Sequence, residues 1–377
     1  MKRSLVACAL LAWAGIAAAE ITIGVSVSTT GPGTSLGVPI SNAFALLPKT
    51  IGDEPVRYVL LDDASDPTAG ARIVGRLVGE DRADVIIGSS TVPVAIAQAG
   101  AASDARIALI ALCPIPLDPA KQPFVFAVPQ PVPLMIEALV EHMRASGLKN
   151  IAYIGFADPW GDLNLKAITA SGGPAGINIT TNERYNRNDT SVASQALKLL
   201  AANPDAVFVG GAGTPGALPH IALAERGFRK PVYNTHGVVN RDFIRVGGKA
   251  VEGAIAPTGP VVVAEQLPAD HPLKQVGTDF VHRYETAFGT GSRNAFAAYA
   301  YDAAAIITAA ASAARKRAKP GTPEFRQALR DGIEGVKELR GTHAVYTLSP
   351  TNHTGVDKRA RVLVRVENGE WRLLNAR

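Results

Sequence analysis

The sequence predicts an α/β protein with two similar lobes, each built on a parallel sheet that is covered by helices. Short apolar runs alternate with helical patterns almost from end to end, which is typical of βαβ units. The alternation falls into two series, and the proline-rich residues 128–133 between them have neither helical nor strand periodicity. The chain has 377 residues, of which 47% are hydrophobic, and this is enough for two packed lobes.

The first series contains five predicted strands and three predicted helices. The strands are short apolar runs at residues 21–28, 56–61, 84–88, 107–110 and 124–128. The helical patterns cover residues 39–47, 67–80 and 93–103. We expect the strands to lie parallel in one sheet with helices on both faces.

The second series repeats this arrangement. Its predicted helices are residues 135–144, 163–171, 192–201 and 218–226, and its predicted strands are residues 151–156, 177–180, 206–209 and 232–234. Two longer helical patterns follow, at residues 273–288 and 295–318. The chain then ends in two strand-like segments, residues 361–366 and 371–374, joined by a turn.

Residues 1–19 have the three-part pattern of a secretory signal peptide. Two basic residues precede an apolar run, residues 5–16, and three alanines come before Glu20. The run is too short for a membrane anchor. We expect a cleaved leader and a mature protein that begins near Glu20 and lies outside the cytoplasm. Lipid attachment at Cys8 is the alternative, although almost no hydrophobic segment precedes this cysteine.

Cysteine content and charge argue against a disulfide-stabilised protein and against a nucleic-acid-binding protein. Without the leader only Cys113 remains, so no disulfide forms within the chain and stability depends on packing. The formal net charge of +5 is scattered over the chain. Its two basic clusters, residues 315–317 and 358–361, are not interleaved with aromatic residues, so we expect no nucleic-acid partner.

Residues 84–98 predict a strand that leads directly into a helix. The apolar run ends at Gly88, three hydroxyl residues follow (Ser89, Ser90 and Thr91), and Pro93 opens an alanine-rich helical pattern. Free backbone amides and the positive end of the helix dipole would meet there, which favours binding of an anion such as a carboxylate. The alternative is that the three hydroxyls only cap the helix.

Two motifs typical of enzymes are present, but neither leads us to predict catalytic activity. Residues 33–37 match G-x-S-x-G, but the turn is lengthened and no glycine run of the oxyanion type accompanies it. Residues 211–216 match G-x-G-x-x-G, but the next strand ends without the acid that would hold a ribose. The histidines show no metal-ligand spacing. We therefore predict no catalytic activity, no cofactor and no metal.

Four motifs in order give the chain a resemblance to a known family. They are residues 30–32 (Thr-Gly-Pro), residues 62–67 (Asp-Asp-Ala-Ser-Asp-Pro), residues 85–88 (Val-Ile-Ile-Gly) and residues 235–240 (Thr-His-Gly-Val-Val-Asn). With the export signal they resemble the branched-chain amino-acid (Leu/Ile/Val) type of periplasmic solute-binding protein that serves ABC transporters. The resemblance covers nearly the whole mature chain.

The resemblance implies a type I periplasmic-binding fold, in which two doubly wound parallel-sheet lobes are joined by a three-segment hinge. It places residues 20–129 and 259–344 in lobe 1, and residues 130–258 and 345–377 in lobe 2. It also implies a ligand in the cleft, in agreement with the rule that ligands lie at the carboxyl ends of strands in open α/β sheets.

Carrying over the family's ligand contacts gives nine candidate residues. The set from lobe 1 is Leu36, Ser90, Thr91, Val92, Cys113 and Ile115, and the set from lobe 2 is Trp160, Ala212 and His236. Several depart from the family pattern. His236 stands where the family has an acid that pairs with an α-ammonium group, and Val92 and Ile115 replace hydroxyl residues. Ser65 and Thr91 occupy the places of the family's early disulfide.

These departures change the ligand that we expect. A buried ammonium group needs a carboxylate partner, which His236 does not supply. The added apolar side chains and the flat ring of Trp160 favour an apolar, aromatic carboxylate, such as a benzoate or phenylpropenoate derivative, over leucine. His236 would then donate to the ligand, and the alternative is a histidine that contacts only water or backbone.

The predicted function is therefore the substrate-binding subunit of an ABC importer. We expect a monomer that captures a small carboxylate by lobe closure and then presents a new surface to an inner-membrane permease. Three alternatives remain: binding of branched-chain amino acids, a periplasmic ligand sensor with the same cleft, and, least favoured, an exported enzyme.

Overall fold

The computed structural model describes residues 20–374, and its architecture rests on two separate sheets. The first has six strands in the order β2-β3-β1-β4-β5-β6. Its strands are β1 (Ile21–Val27), β2 (Thr50–Ile51), β3 (Glu54–Asp62), β4 (Val85–Gly88), β5 (Ala108–Ala111) and β6 (Val125–Ala127). All neighbours are parallel except β2, which pairs antiparallel with β3 at one edge.

Helices cover both faces of this sheet. They are α1 (Thr34–Ala43), α2 (Pro67–Gly79) and α3 (Val92–Asp104) from the first part of the chain, and α9 (Lys274–Phe288), α10 (Ala295–Ala314) and α11 (Pro323–Glu334) from the later part. Every residue of β1, β4, β5 and β6 is buried. Such wholly buried, mainly apolar strands are expected in a parallel sheet with two covered faces.

The second sheet has seven strands in the order β15-β14-β11-β10-β9-β7-β8. Its strands are β7 (Asn150–Phe156), β8 (Asn178–Tyr185), β9 (Ala206–Gly210), β10 (Val232–Asn234), β11 (Ile255–Thr258), β14 (Val362–Glu367) and β15 (Glu370–Leu373). Its helices are α4 (Val132–Ala145), α5 (Pro159–Gly172), α6 (Ala193–Ala201), α7 (Leu218–Glu225) and α8 (Arg241–Gly247). A small hairpin, β12 (Leu339–Arg340) and β13 (Val345–Tyr346), stands apart from both sheets.

The chain passes between the two sheets three times. It leaves the first sheet after β6, returns to helices on that sheet after β11, and rejoins the second sheet at β14. The predicted fold class, two doubly wound parallel-sheet lobes joined by a three-segment hinge, is confirmed. The residue boundaries given above for the lobes stay a prediction, and the predicted signal peptide, residues 1–19, lies outside the described residues.

Helix α10 is the one described helix that is long and apolar enough to cross a membrane, judged by length and composition. In this protein 72% of its apolar window is buried. It packs against α1 and α11 in the first lobe. The burial identifies α10 as a core helix.

Several predicted boundaries differ from the structure for physical reasons. The predicted helix at 39–47 begins instead at Thr34, because Leu36 and Ile40 both face the core and Pro39 lies inside the helix. Strand β8 continues beyond the predicted residue 180. It lies at the edge of the sheet, where exposed positions interrupt the apolar run by which strands were predicted. Strand β11 was not predicted, since Pro257 lowers strand propensity.

Candidate functional site

A narrow cavity lies between the two lobes, at the carboxyl ends of the sheet strands. It comprises about 350 Å³ of space outside protein atoms, including the part that is open to solvent. The space therefore suits a small molecule. The lining residues are Leu36, Ser90, Thr91, Val92, Leu112, Cys113, Pro114, Trp160, Arg187, Ala212, His236, Gly237, Phe296 and Tyr299.

The wall from lobe 1 is the junction between β4 and α3, where two of the three hydroxyls already have partners within the protein. The Ser89 hydroxyl donates to Asp63 Oδ2 at 2.6 Å. The Ser28 amide donates to Ser90 Oγ at 3.1 Å. Asp63 is fully buried and also accepts from the Ser28 hydroxyl at 2.6 Å. The Asp63 carboxyl group thus lies beneath the junction and accepts from the Ser89 hydroxyl, which leaves fewer donors there for an anion.

Thr91 is the exception at this junction. It is the N-cap residue of the 13-residue helix α3, yet its side chain makes no capping bond. Its hydroxyl is buried and has no hydrogen-bond partner among the described residues. The capping alternative therefore does not apply to Thr91, whose hydroxyl is free to bond a molecule in the cavity.

Trp160 forms the flat wall from lobe 2, and the start of α5 holds it in place. Asp158 caps this helix by accepting from the amides of Trp160 at 2.9 Å and Gly161 at 3.2 Å. The indole N–H donates to the Gly211 carbonyl at 3.0 Å. With both ends of the residue bonded, the indole ring is fixed as a surface on which an apolar ring packs.

His236 lies beside this indole on a short 3₁₀ turn after β10. The two rings meet edge to face, with centroids 5.3 Å apart. Burial lowers the pKa of His236 to about 4, so the imidazole is neutral at pH 7. Its Nε2 atom is buried and has no partner among the described residues. The ring therefore offers a neutral hydrogen-bonding atom to the cavity.

Arg187 supplies the positive charge of the cavity, and sequence reasoning missed it. Its Nε donates to Asp158 Oδ2 at 2.6 Å, and its guanidinium lies 4.2 Å from the centre of the Phe156 ring. Among the cavity-lining residues of the described chain it is the only one with a formal charge, and none is acidic. It lies in the irregular segment after β8, where periodicity carries no signal.

Helix α10 adds two aromatic residues that were also missed, Phe296 and Tyr299. The Tyr299 hydroxyl donates to Gln130 Oε1 at 2.7 Å, and its ring stacks on His343 with centroids 4.0 Å apart. Burial raises the pKa of Tyr299. In the sequence both residues resemble ordinary core positions of an apolar helix, so their pattern alone did not indicate a site.

The structure brings eight of the nine predicted residues to this cavity. They are Leu36, Ser90, Thr91, Val92, Cys113, Trp160, Ala212 and His236. Ile115 does not line it, but lies two residues beyond Cys113 in a neighbouring apolar hollow that shares Pro114. Burial raises the pKa of the Cys113 thiol, which makes it a poor nucleophile.

The described part of the chain contains no group of three or more histidine, cysteine, aspartate or glutamate residues that could hold a metal ion. The described lining of the cavity offers one arginine, one neutral histidine and three hydroxyls, those of Ser90, Thr91 and Tyr299, among apolar and aromatic side chains. This arrangement is suited to binding a small anion with an apolar body.

Comparison with known proteins agrees with this architecture. Residues 20–370 match the family profile described as periplasmic binding protein. Leu/Ile/Val-binding protein homolog 3 of Brucella melitensis is 24% identical over 259 residues, which cover 66% of this chain and 69% of that protein. An extracellular ligand-binding receptor from Rhodopseudomonas palustris has a TM-score of 0.93 and 42% identity, covering 94% of this chain and 99% of that chain.

A further solved structure shares the fold at lower identity. It is the solute-binding protein of an ABC transporter from R. palustris, in complex with benzoate, with a TM-score of 0.80 and 19% identity. The match covers 94% of this chain and 95% of that chain. At this identity the likeness shows the fold alone.

Proposed function

The chain belongs to the periplasmic binding protein family and resembles its Leu/Ile/Val-binding members, and from this premise we propose a specific ligand class. The protein is the extracytoplasmic substrate-binding subunit of an ABC importer. It captures a small aromatic or apolar carboxylate by closing its two lobes over it, and an inner-membrane permease receives the closed complex.

One observation carries this proposal: among the described residues the cavity lining is mostly apolar and contains no acid and one cation, Arg187, which pairs with Asp158 outside the lining. A free amino acid would bring a buried ammonium group, which costs several kcal/mol without a carboxylate partner. No acidic side chain lines the cavity in the described chain, whereas the Arg187 guanidinium has further N–H groups beyond the one bonded to Asp158. A ligand with one carboxylate and no ammonium fits this charge pattern.

The position of the carboxylate differs from the sequence-based expectation. The β4–α3 junction was expected to bind it, but the Ser89 hydroxyl already donates to Asp63, whose carboxyl group lies beneath the junction, and Ser90 Oγ accepts from the Ser28 amide and keeps only its own hydrogen for a ligand. We therefore assign the carboxylate to Arg187 in lobe 2. Thr91 and the start of α3 are left to bond a polar group at the opposite end of the ligand.

The apolar body of the ligand would lie beside Trp160. The indole and the aromatic side chains of α10, Phe296 and Tyr299, face the same narrow space. A ring buried between such surfaces gains about 25 cal/mol for each Å² removed from water. Charge-assisted hydrogen bonds to the carboxylate contribute roughly 1.5–3 kcal/mol each. Together these contributions are sufficient for micromolar binding.

Support also comes from the relative that was solved with benzoate, which uses the same fold for an aromatic acid. The Leu/Ile/Val-binding relatives favour the second candidate, branched-chain amino acids. The absence of an acid from the described cavity lining opposes that candidate, because leucine would carry its ammonium group into a site without a counter-charge.

Isothermal titration calorimetry separates the two candidates. The protein is titrated with benzoate, 4-hydroxybenzoate, a phenylpropenoate and leucine, and each ligand is also tested for a shift in unfolding temperature. We expect micromolar binding of at least one aromatic acid and no binding of leucine. Micromolar leucine binding without aromatic-acid binding would overturn the proposal.

A further inference from the structure

The two enzyme-like motifs of the sequence meet each other across the cleft. Ser35, from residues 33–37, lies in α1 of lobe 1, and Thr214, from residues 211–216, begins a 3₁₀ turn of lobe 2. The Thr214 amide donates to Ser35 Oγ at 3.1 Å. This hydrogen bond joins the lobes directly, with no ligand between them.

The loop of lobe 2 is shaped for this contact. Gly213 has φ +59° and ψ −157°, a conformation that is essentially restricted to glycine. A Cβ atom at this position would lie 2.7 Å from Ser35 Oγ, closer than side chains tolerate. The Gly213 amide donates to the Gly237 carbonyl at 2.8 Å, which fixes the loop on its own lobe. Glycine therefore permits the close approach of the two lobes.

The contact lies at the rim of the cavity. Leu36 and Ala212, the neighbours of Ser35 and Gly213, both line the cavity. Ser35 itself is only 8% exposed and does not line it. When the lobes separate, both the Ser35 hydroxyl and the Thr214 amide become free to bond water, so the direct bond exists only in the closed state.

We propose that Ser35 and the Gly213–Thr214 backbone form a latch that holds the lobes closed independently of which ligand is bound. The latch depends on the proposed function only because closure retains a ligand. Since Ser35 does not contact the ligand, the latch slows the release of every ligand by the same factor. The latch also favours the closed state of the ligand-free protein, so its loss does not slow ligand entry.

The test compares Ser35→Ala with Ser103→Ala. Ser103 lies on α3 of the same lobe, and its hydroxyl donates only to the Ala99 carbonyl, at 2.8 Å. Stopped-flow tryptophan fluorescence, to which Trp160 in the cavity wall contributes, measures association and dissociation of benzoate and of 4-hydroxybenzoate. We expect S35A to release both acids about three to ten times faster than the wild type, as loss of one neutral hydrogen bond implies. The association rate of S35A is equal to or higher than that of the wild type, and both rates of S103A stay as in the wild type.

Two kinetic results would overturn the latch. One is a wild-type release rate in S35A. The other is a release rate that increases by different factors for the two acids, because this would mean that Ser35 contacts the ligand. If the wild-type protein binds neither acid, the proposed function fails and small-angle X-ray scattering of the ligand-free protein decides on the latch. A larger radius of gyration for S35A than for the wild type and S103A supports it, and equal radii overturn it.

Discussion

Two buried polar atoms of the cavity, Thr91 Oγ1 and His236 Nε2, have no partner among the described residues. Leaving a buried polar atom unpaired costs about 1–3 kcal/mol, and folded proteins rarely retain such atoms without a reason. Both face one narrow cavity that also contains Arg187. We interpret them as atoms whose hydrogen bonds are completed by the ligand.

Thr91→Val separates a binding role from a structural one. Valine has the shape of threonine without the hydroxyl, so we expect the free energy of unfolding of the ligand-free protein to stay equal or rise slightly. Affinity for the bound acid falls about three- to tenfold, as loss of one hydrogen bond implies. Urea unfolding and calorimetric titration measure the two quantities.

Ser89→Ala is the matched control, two residues away. Its hydroxyl donates to the buried Asp63 carboxylate, so its loss leaves Asp63 short of a donor. We expect S89A to lower the free energy of unfolding by about 1–3 kcal/mol and to change affinity little. The interpretation of Thr91 would be wrong if T91V were destabilised and kept wild-type affinity.

At the level of secondary structure, the sequence predicted best the strands that are wholly buried. Strands β1, β4 and β5 were found within a few residues, because a covered parallel strand is a continuous apolar run. Strand β11 was missed because Pro257 interrupts its pattern. The start of α1 was missed because Pro39 resembles a helix start although it lies inside the helix.

The candidate site was predictable where a residue follows a strand. Thr91, Trp160 and His236 all come directly after strands, and in parallel sheets such positions gather at the carboxyl edge. Arg187 and Tyr299 were not predictable in this way. Arg187 lies in an irregular segment, and the position of Tyr299 in the cavity depends on how α10 packs against the sheet.

Taken as a whole, the molecule buries several ionisable groups whose pKa values make its stability depend on pH. Burial lowers the pKa of His220 and His236 to about 4 and that of His343 to about 3. The unfolded chain, with a histidine pKa near 6.5, therefore binds more protons below this pH. Burial raises the pKa of Asp302 to about 6. As the pH falls from 6, the folded state therefore binds this proton before the unfolded chain does, which raises the free energy of unfolding and opposes the effect of the histidines.

Because three histidines outweigh one aspartate, we expect the free energy of unfolding to fall as the pH drops from 6.5 to 4.5. Each buried histidine contributes about 1 kcal/mol per pH unit in this range. Urea unfolding at several pH values measures the slope, and His236→Asn lowers it. His282→Asn, at an exposed position, is the control for the substitution itself. Equal slopes for the wild type and H236N would contradict a buried, neutral His236.

The central claim is that Arg187, the single cation among the described residues of the cavity lining, binds the carboxylate of an aromatic acid. Titration of benzoate into Arg187→Met tests it most directly. Arg184→Met is the control, because Arg184 lies in the same lobe, donates to the Phe156 carbonyl and does not line the cavity. We predict that R187M binds benzoate roughly 10 to 100 times more weakly than the wild type, as loss of a charge-assisted pair implies, and that R184M binds it normally. Wild-type benzoate affinity in R187M would contradict the claim.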